Sequence, residues 1–363
     1  MINIKKLGLS ALAGSLVAVS AQAGEIAVTG SANVTYVTGE KVNGGKTIGT
    51  DRDVAFTGTG EMDNGWTFKV STLLTDAYAV SSSFTSLTMG SLGTVSFGTD
   101  TGGASYKYDE EVPQAYEQIS DAVQTSANIV GNQMDSNSIV YNSPSFDIAG
   151  ASISLDAEFS PNANGAGAGD GATTTKVSAY DAVTNGYGGN YGKGYGLGAT
   201  IKYAGLTAGA YGSERESRDP ATGATKTRDP FEGVWYAKYS VGPISFGYSE
   251  SYLDSGLNGT DALATAAKTV RVASGIFEGE QFSVAFNVNE NLSVSYTDSS
   301  DSYDDQAATT TVADVSMDTK AIQVAYSMGA MSVKAYNMDT KNPGYDNDAS
   351  DTSITEIALG LAF

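Results

Sequence analysis

The chain has 363 residues, 41 acidic against 20 basic for a formal charge of −21, and contains neither histidine nor cysteine. The acidic excess excludes nucleic acid as a partner. Zero Cys rules out a disulfide framework, and zero His removes the usual general base and the commonest metal ligand, so hydrolytic triads and zinc sites are not expected.

In chain order, the first feature is an export signal: Lys5 and Lys6, an apolar run over residues 7–19, then Ala21-Gln22-Ala23 before Gly24. The run is too short to be a retained spanning helix, which needs about 20 residues. Residues 1–23 are therefore expected to be cleaved, leaving 24–363 as one domain. Loss of Lys5 and Lys6 leaves 18 basic residues against 41 acidic, a formal −23.

Strand-like windows follow at 25–38, 53–62, 66–76, 83–89 and 93–99, then at 138–143, 148–159, 194–203, 206–213, 233–241 and 244–253. The remainder lie at 279–288, 291–298, 315–327, 330–338 and 353–363, which makes 16, an even number. The 43 Gly, 21 Tyr and only 7 Pro suit many strands joined by turns, because proline cannot donate to a ladder. Tight links such as Asp63-Asn64-Gly65, Ala204-Gly205, Gly242-Pro243 and Asn289-Glu290 alternate with long polar stretches at 39–52, 160–193, 214–232, 254–278, 299–314 and 339–352. An up-and-down barrel with one rim on each side of a membrane requires that alternation.

Parity assigns the faces. Ile26, Val28, Val34 and Tyr36 alternate with Ala27, Thr29, Ser31, Asn33 and Thr35, and Phe282, Val284, Phe286 and Val288 with Gln281, Ser283, Ala285 and Asn287. The first set suits lipid. The second is too small and polar for a packed apolar core and reads as a solvated lumen. Tyr36, Trp66, Phe159, Tyr203, Tyr239 and Tyr296 lie near strand ends, where amphipathic rings favour headgroups. The last window, SITEIALGLAF, places Ile357, Leu359, Leu361 and Phe363 on one face and ends the chain on an aromatic. It resembles the C-terminal insertion signal of Gram-negative outer-membrane barrels.

Together these features resemble the general diffusion porins of Gram-negative bacteria over the whole mature chain. The resemblance implies an all-β, transmembrane, 16-stranded antiparallel up-and-down β-barrel with an infolded constriction loop. It also implies a homotrimer in the outer membrane, in contact with lipid and lipopolysaccharide, that passes small hydrophilic solutes and ions. By this resemblance the infolded loop is the third outer link, residues 100–137. Its acids are Asp109, Glu110, Glu111, Glu117 and Asp121, and Tyr106, Tyr108, Val112, Tyr116, Ile119 and Val123 supply apolar surface to pack it on a wall. Residues 113–123 are expected to form a short helix. Parity places Lys69, Lys202, Lys238 and Lys334 on the inner face as a basic wall opposite those acids, with Asp156, Glu158 and Glu356 adding negative potential. The excess of acid predicts a weak cation preference.

Other motifs are less specific. GGNYGKGYGLG at 188–198 partly mimics a nucleotide-binding glycine loop but lacks the strand-loop-helix context. No cofactor is expected, although the acidic runs 298–305 and 345–351 offer carboxylates for loose calcium binding without matching an EF-hand. Alternatives are a substrate-specific porin, in which Tyr211, Tyr236 and Tyr336 would line the lumen, and a secreted soluble β-rich adhesin or surface-layer protein. A barrel enzyme such as a lipase would need an activating base in place of the absent histidine.

Overall fold

The computed structural model describes residues 24–39, 46–75, 80–99, 103–109, 111–119, 125–131, 134, 138–161, 163, 190–219, 225–226, 228–258, 275–304, 306 and 314–363. The expected export signal lies outside these residues.

The strands are β1 (Glu25–Gly39), β2 (Lys46–Glu61), β3 (Thr67–Leu74), β4 (Val80–Thr88), β5 (Thr94–Thr99), β6 (Ser138–Asn142, resumed at Phe146–Ile148), β7 (Ala151–Ser160) and β8 (Asn190–Tyr203). They continue as β9 (Leu206–Asp219), β10 (Phe231–Val241), β11 (Ile244–Asp254), β12 (Ile276–Asn287), β13 (Leu292–Asp304), β14 (Val315–Met328), β15 (Met331–Lys341) and β16 (Thr352–Ala362). Each pairs antiparallel with its neighbours, and β1 pairs with β16 from Ser31 opposite Ala362 to Gly39 opposite Ile354, which closes a 16-stranded barrel. Closure matters because lipid cannot satisfy the polar groups of an open sheet edge.

β6 is interrupted for a local reason. Pro144 has no N–H, and beside it Leu155 N donates 2.8 Å to Ser143 Oγ instead of to a backbone carbonyl. The short links are tight hairpins. At Ala149–Gly150 and Ala204–Gly205 both residues have positive φ (52° and 85°, 45° and 87°), as a primed two-residue turn requires.

The outer face carries the apolar side chains. Ile48 is 71 %, Leu197 70 % and Ile322 65 % exposed, a surface that is stable only against hydrocarbon. On β11–β14 the belt has a clear upper limit. One outward row reads Phe246, Val284, Tyr296, Ile322; four residues further along each strand it reads Glu250, Glu280, Ser300, Asp318. Above that limit the sequence need not be apolar to remain strand. β2 accordingly begins at Lys46 rather than at residue 53, and β9 runs through the charged stretch 214–219.

Candidate functional site

The loop between β5 and β6 lies inside the barrel, and two legs of it can be followed along the inner wall. The first leg runs from β7 to β16. Ala104 N donates 3.1 Å to Glu158 Oε2, while Lys107 Nζ and Tyr108 Oη donate 2.7 and 2.5 Å to the two oxygens of Asp156. The Tyr108 ring stacks on Tyr211 (5.7 Å between centroids) and tilts against Tyr236 (6.5 Å). Glu111 forms an ion pair with Lys238, and Ser283 Oγ donates to the Pro113 carbonyl. Ala115 N then reaches Ser295 Oγ at 2.9 Å, Tyr116 N reaches Gln323 Oε1 at 2.8 Å, and Gln323 Nε2 returns a bond to the Glu117 carbonyl at 2.7 Å. Tyr116 Oη ends this leg on β16 by donating 2.5 Å to Glu356 Oε1, beside Tyr336.

The second leg returns nearer the outer rim. Ile119 packs on Ala321 and Met338. Ser126 N donates 2.6 Å to Asp301 Oδ2, and Gly131 N donates 2.6 Å to Glu232 Oε2. The other oxygen of Glu232 pairs with Arg215 at 3.3 Å.

Two features of the sequence explain why the loop sits here. The inner-facing glycines of β8 form a trough: a Cβ at Gly198 would stand 2.5 Å from Tyr108 Cζ, at Gly196 2.3 Å from Tyr211 Oη, and at Gly194 2.3 Å from Met134 Sδ. The glycine-rich run with a nucleotide-loop flavour is thus a docking surface for the loop. The second feature is an acidic wall. Asp156, Glu158, Glu232 and Asp301 are each at most 4 % exposed, and all four accept from the loop. Each is a buried acceptor that bonds a loop donor directly, so these carboxylates fix the loop's path. The phenol of Tyr116 is held well above the ordinary tyrosine range by burial and then by the nearby Glu117 and Glu356, which keeps it a donor.

The sequence-derived site residues separate into groups. Asp109 is 8 % exposed, so it is buried rather than lumenal. Glu110 and Asp121 lie outside the described residues. Glu117 is half-buried. Lys238 lies on the wall the loop is docked to, where it binds Glu111 instead of facing it across the lumen. Lys334 stands 5.2 Å over the Tyr116 ring on that same side. Lys69, on the opposite arc, projects inward 5.1 Å from the Phe84 ring, and Lys202 is exposed near the short-turn end of β8. Asp156, Glu158 and Glu356 are loop anchors, not free lumen charges. Residues 113–118 are irregular and Ile119 is helical, with 120–123 outside the described residues; the other short helical turns described in the loop are Ser105–Lys107 and Ser126–Ile129. Tyr211 and Tyr236, each 3 % exposed beneath Tyr108, do not form a lumenal aromatic ladder. Strand alternation also scatters the 298–305 carboxylates, since Asp298 and Asp304 face outward and Asp301 inward.

The sequence profile described as Gram-negative porin matches residues 8–363. No curated protein sequence matches significantly. Among solved structures, the chain is similar to Salmonella typhi OmpF in complex with daunomycin, with TM-score 0.66 and 11% identity, covering 94% of this chain and 98% of that one. It is also similar to a trimer form of OmpT, an outer membrane protein of Vibrio cholerae (0.61, 12%, 94% and 100%), and to an anion-selective porin from Comamonas acidovorans (0.61, 12%, 94% and 100%).

Proposed function

Because the chain belongs to the Gram-negative porin family and is therefore an outer-membrane channel, we propose that it passes small hydrophilic solutes and ions by passive diffusion, with a weak preference for cations. The observation that carries this reading is the loop docked along β7–β16, which narrows the barrel while the polar inner face of β1–β5 remains for water and solute. Nothing in this arrangement is chemistry on a substrate; selection is by size and charge.

The fold does not decide the sign of the selectivity, since an anion-selective porin shares it. The charges support cations. Lys107 and Lys238 are held by Asp156 and Glu111, which takes two bases out of the field of the aperture. Acids outnumber bases 20 to 12 on the six long outer links and 7 to 1 on the loop at 100–137, which concentrates cations at the mouth. Zero-current potentials in a salt gradient across a planar bilayer should show cation preference, reduced in Glu117→Gln and increased in Lys69→Gln. Anion preference in the unaltered protein would refute the reading. Glu111→Gln should also reduce it, by leaving the charge of Lys238 uncompensated.

The same proposal includes a homotrimer, set in outer-membrane lipid and lipopolysaccharide; the Vibrio protein of similar fold occurs in a trimer form. A soluble adhesin would partition into water without detergent, which fractionation tests directly.

A further inference from the structure

The outer link between β15 and β16, residues 342–351, sends one side chain down into the barrel. Tyr345 is 6 % exposed, with its ring centroid 5.1 Å from Phe277 on β12 and 6.1 Å from Tyr303 on β13. Leu253, Val315 and Met317 complete the cluster. Its backbone has φ 57°, and Asn342 (47°) and Gly344 (69°) share the left-handed region. A bulky L residue keeps that conformation only where its surroundings hold it. Here the buried ring does so.

What the ring carries with it is a hydroxyl, and that hydroxyl donates 3.2 Å to Oδ1 of Asp301. The other oxygen of the same carboxylate, Oδ2, accepts from Ser126 N at 2.6 Å and Ser126 Oγ at 2.5 Å. Ser126 belongs to the returning leg of the constriction loop, and its hydroxyl also meets Ser251 Oγ at 2.6 Å. Asp301 is 0 % exposed. One fully buried carboxylate thus holds an outer-surface loop by one oxygen and the constriction loop by the other. Beside it Gly279 leaves no room for a larger residue: a Cβ there would stand 2.6 Å from Ser126 Oγ and 2.7 Å from Asp301 Oδ2.

We infer that Tyr345 is a positioning residue for conduction: through Asp301, the outer link 342–351 holds the returning leg of the constriction loop, so the outer surface and the aperture are energetically coupled. The inference rests on the porin reading but goes beyond it. Hydrogen bonds that share one buried acceptor polarise one another, so loss of the phenol donor changes the carboxylate that Ser126 binds. Such coupling is reciprocal: a molecule that lifts the outer link alters the aperture, and displacement of the constriction loop loosens the outer link.

Tyr345→Phe keeps the ring in its cluster and deletes only the donor. In single-channel recordings it should raise the frequency of brief partial closures by about tenfold, the size expected for losing a hydrogen bond to a charged group. The heat stability of the barrel should be unchanged. Asp301→Asn should act in the same direction, and the double variant should be no worse than Asp301→Asn alone, because both changes break one path. Closure frequencies in Tyr345→Phe equal to those of the unaltered channel would overturn the inference, as would effects that add. Either result comes from a conducting channel and so leaves the porin reading intact.

Discussion

Asp156→Ala should undock the first leg of the constriction loop and raise single-channel conductance while the barrel stays folded. Asp156 receives Lys107 Nζ and Tyr108 Oη from the loop and, at 2.6 Å, Asn142 Nδ2 from β6. Lys107 is nearly half exposed and contributes little. The phenol dominates: Tyr108 is fully buried and loses its carboxylate acceptor, keeping the neighbouring Thr200 hydroxyl as a partner. We expect a loss of about 1.5–3 kcal/mol of docking free energy, the worth of a hydrogen bond to a charged group. Asp156→Asn, which keeps an acceptor in place, should lose less. The barrel should survive, since β6, β7 and β8 are joined by backbone ladders that do not involve this side chain. Protease access to residues 103–109 should rise with the conductance. Loop release with unchanged conductance would mean that this segment does not limit the current.

Gly30→Val should impair formation of the barrel. The chain ends by closing on β1: Gly30 N donates 2.8 Å to the Phe363 carbonyl, and Phe363 N donates 3.0 Å to the Gly30 carbonyl. The Phe363 ring covers Gly30, where a Cβ would stand 2.5 Å from Phe363 Cζ and 2.8 Å from the Asp53 carbonyl. Overpacking costs about 1–3 kcal/mol, and backbone groups turned out of the ladder into lipid cost more. The folded fraction, read as resistance to unfolding in detergent gels before heating, should fall sharply for Gly30→Val and less for Gly30→Ala. Folding of Gly30→Val as efficient as that of the unaltered chain would contradict the assigned closure of β16 on β1.

These two expectations differ in how far they can be read from sequence alone. The final strand and its pairing partner follow from period-2 alternation, visible wherever lipid demands apolar side chains on one face. Strand ends above the belt do not: Lys46 and Arg215 lie in strands whose outer parts face polar surroundings, so alternation of hydrophobicity fades before the hydrogen bonding does. The loop itself was legible from its length, its position and its tyrosines, of which Tyr108 and Tyr116 do pack it on the wall.

Its anchors were harder to see. Glu232 and Asp301 resemble any acid of an outer link, and only the inner parity of β10 and β13 distinguishes them. Ser126, Gln323 and Arg215 carry no sequence signal that separates them from surface polar residues. The alternate glycines 194, 196 and 198 did carry one, since three small residues on a single face of a strand mark a close approach. The expectation that lysines face the loop acids across the lumen met a simpler arrangement in Lys238, where opposite charges attract directly and bind the loop to its own wall.

The most direct test of a water-filled barrel narrowed by an infolded loop is current through single molecules of detergent-purified protein in a planar lipid bilayer. We expect discrete steps that grow in proportion to voltage and to salt concentration, and that become larger in Asp156→Ala. A bilayer that stays silent after insertion, or steps of the same size in both proteins, would contradict it.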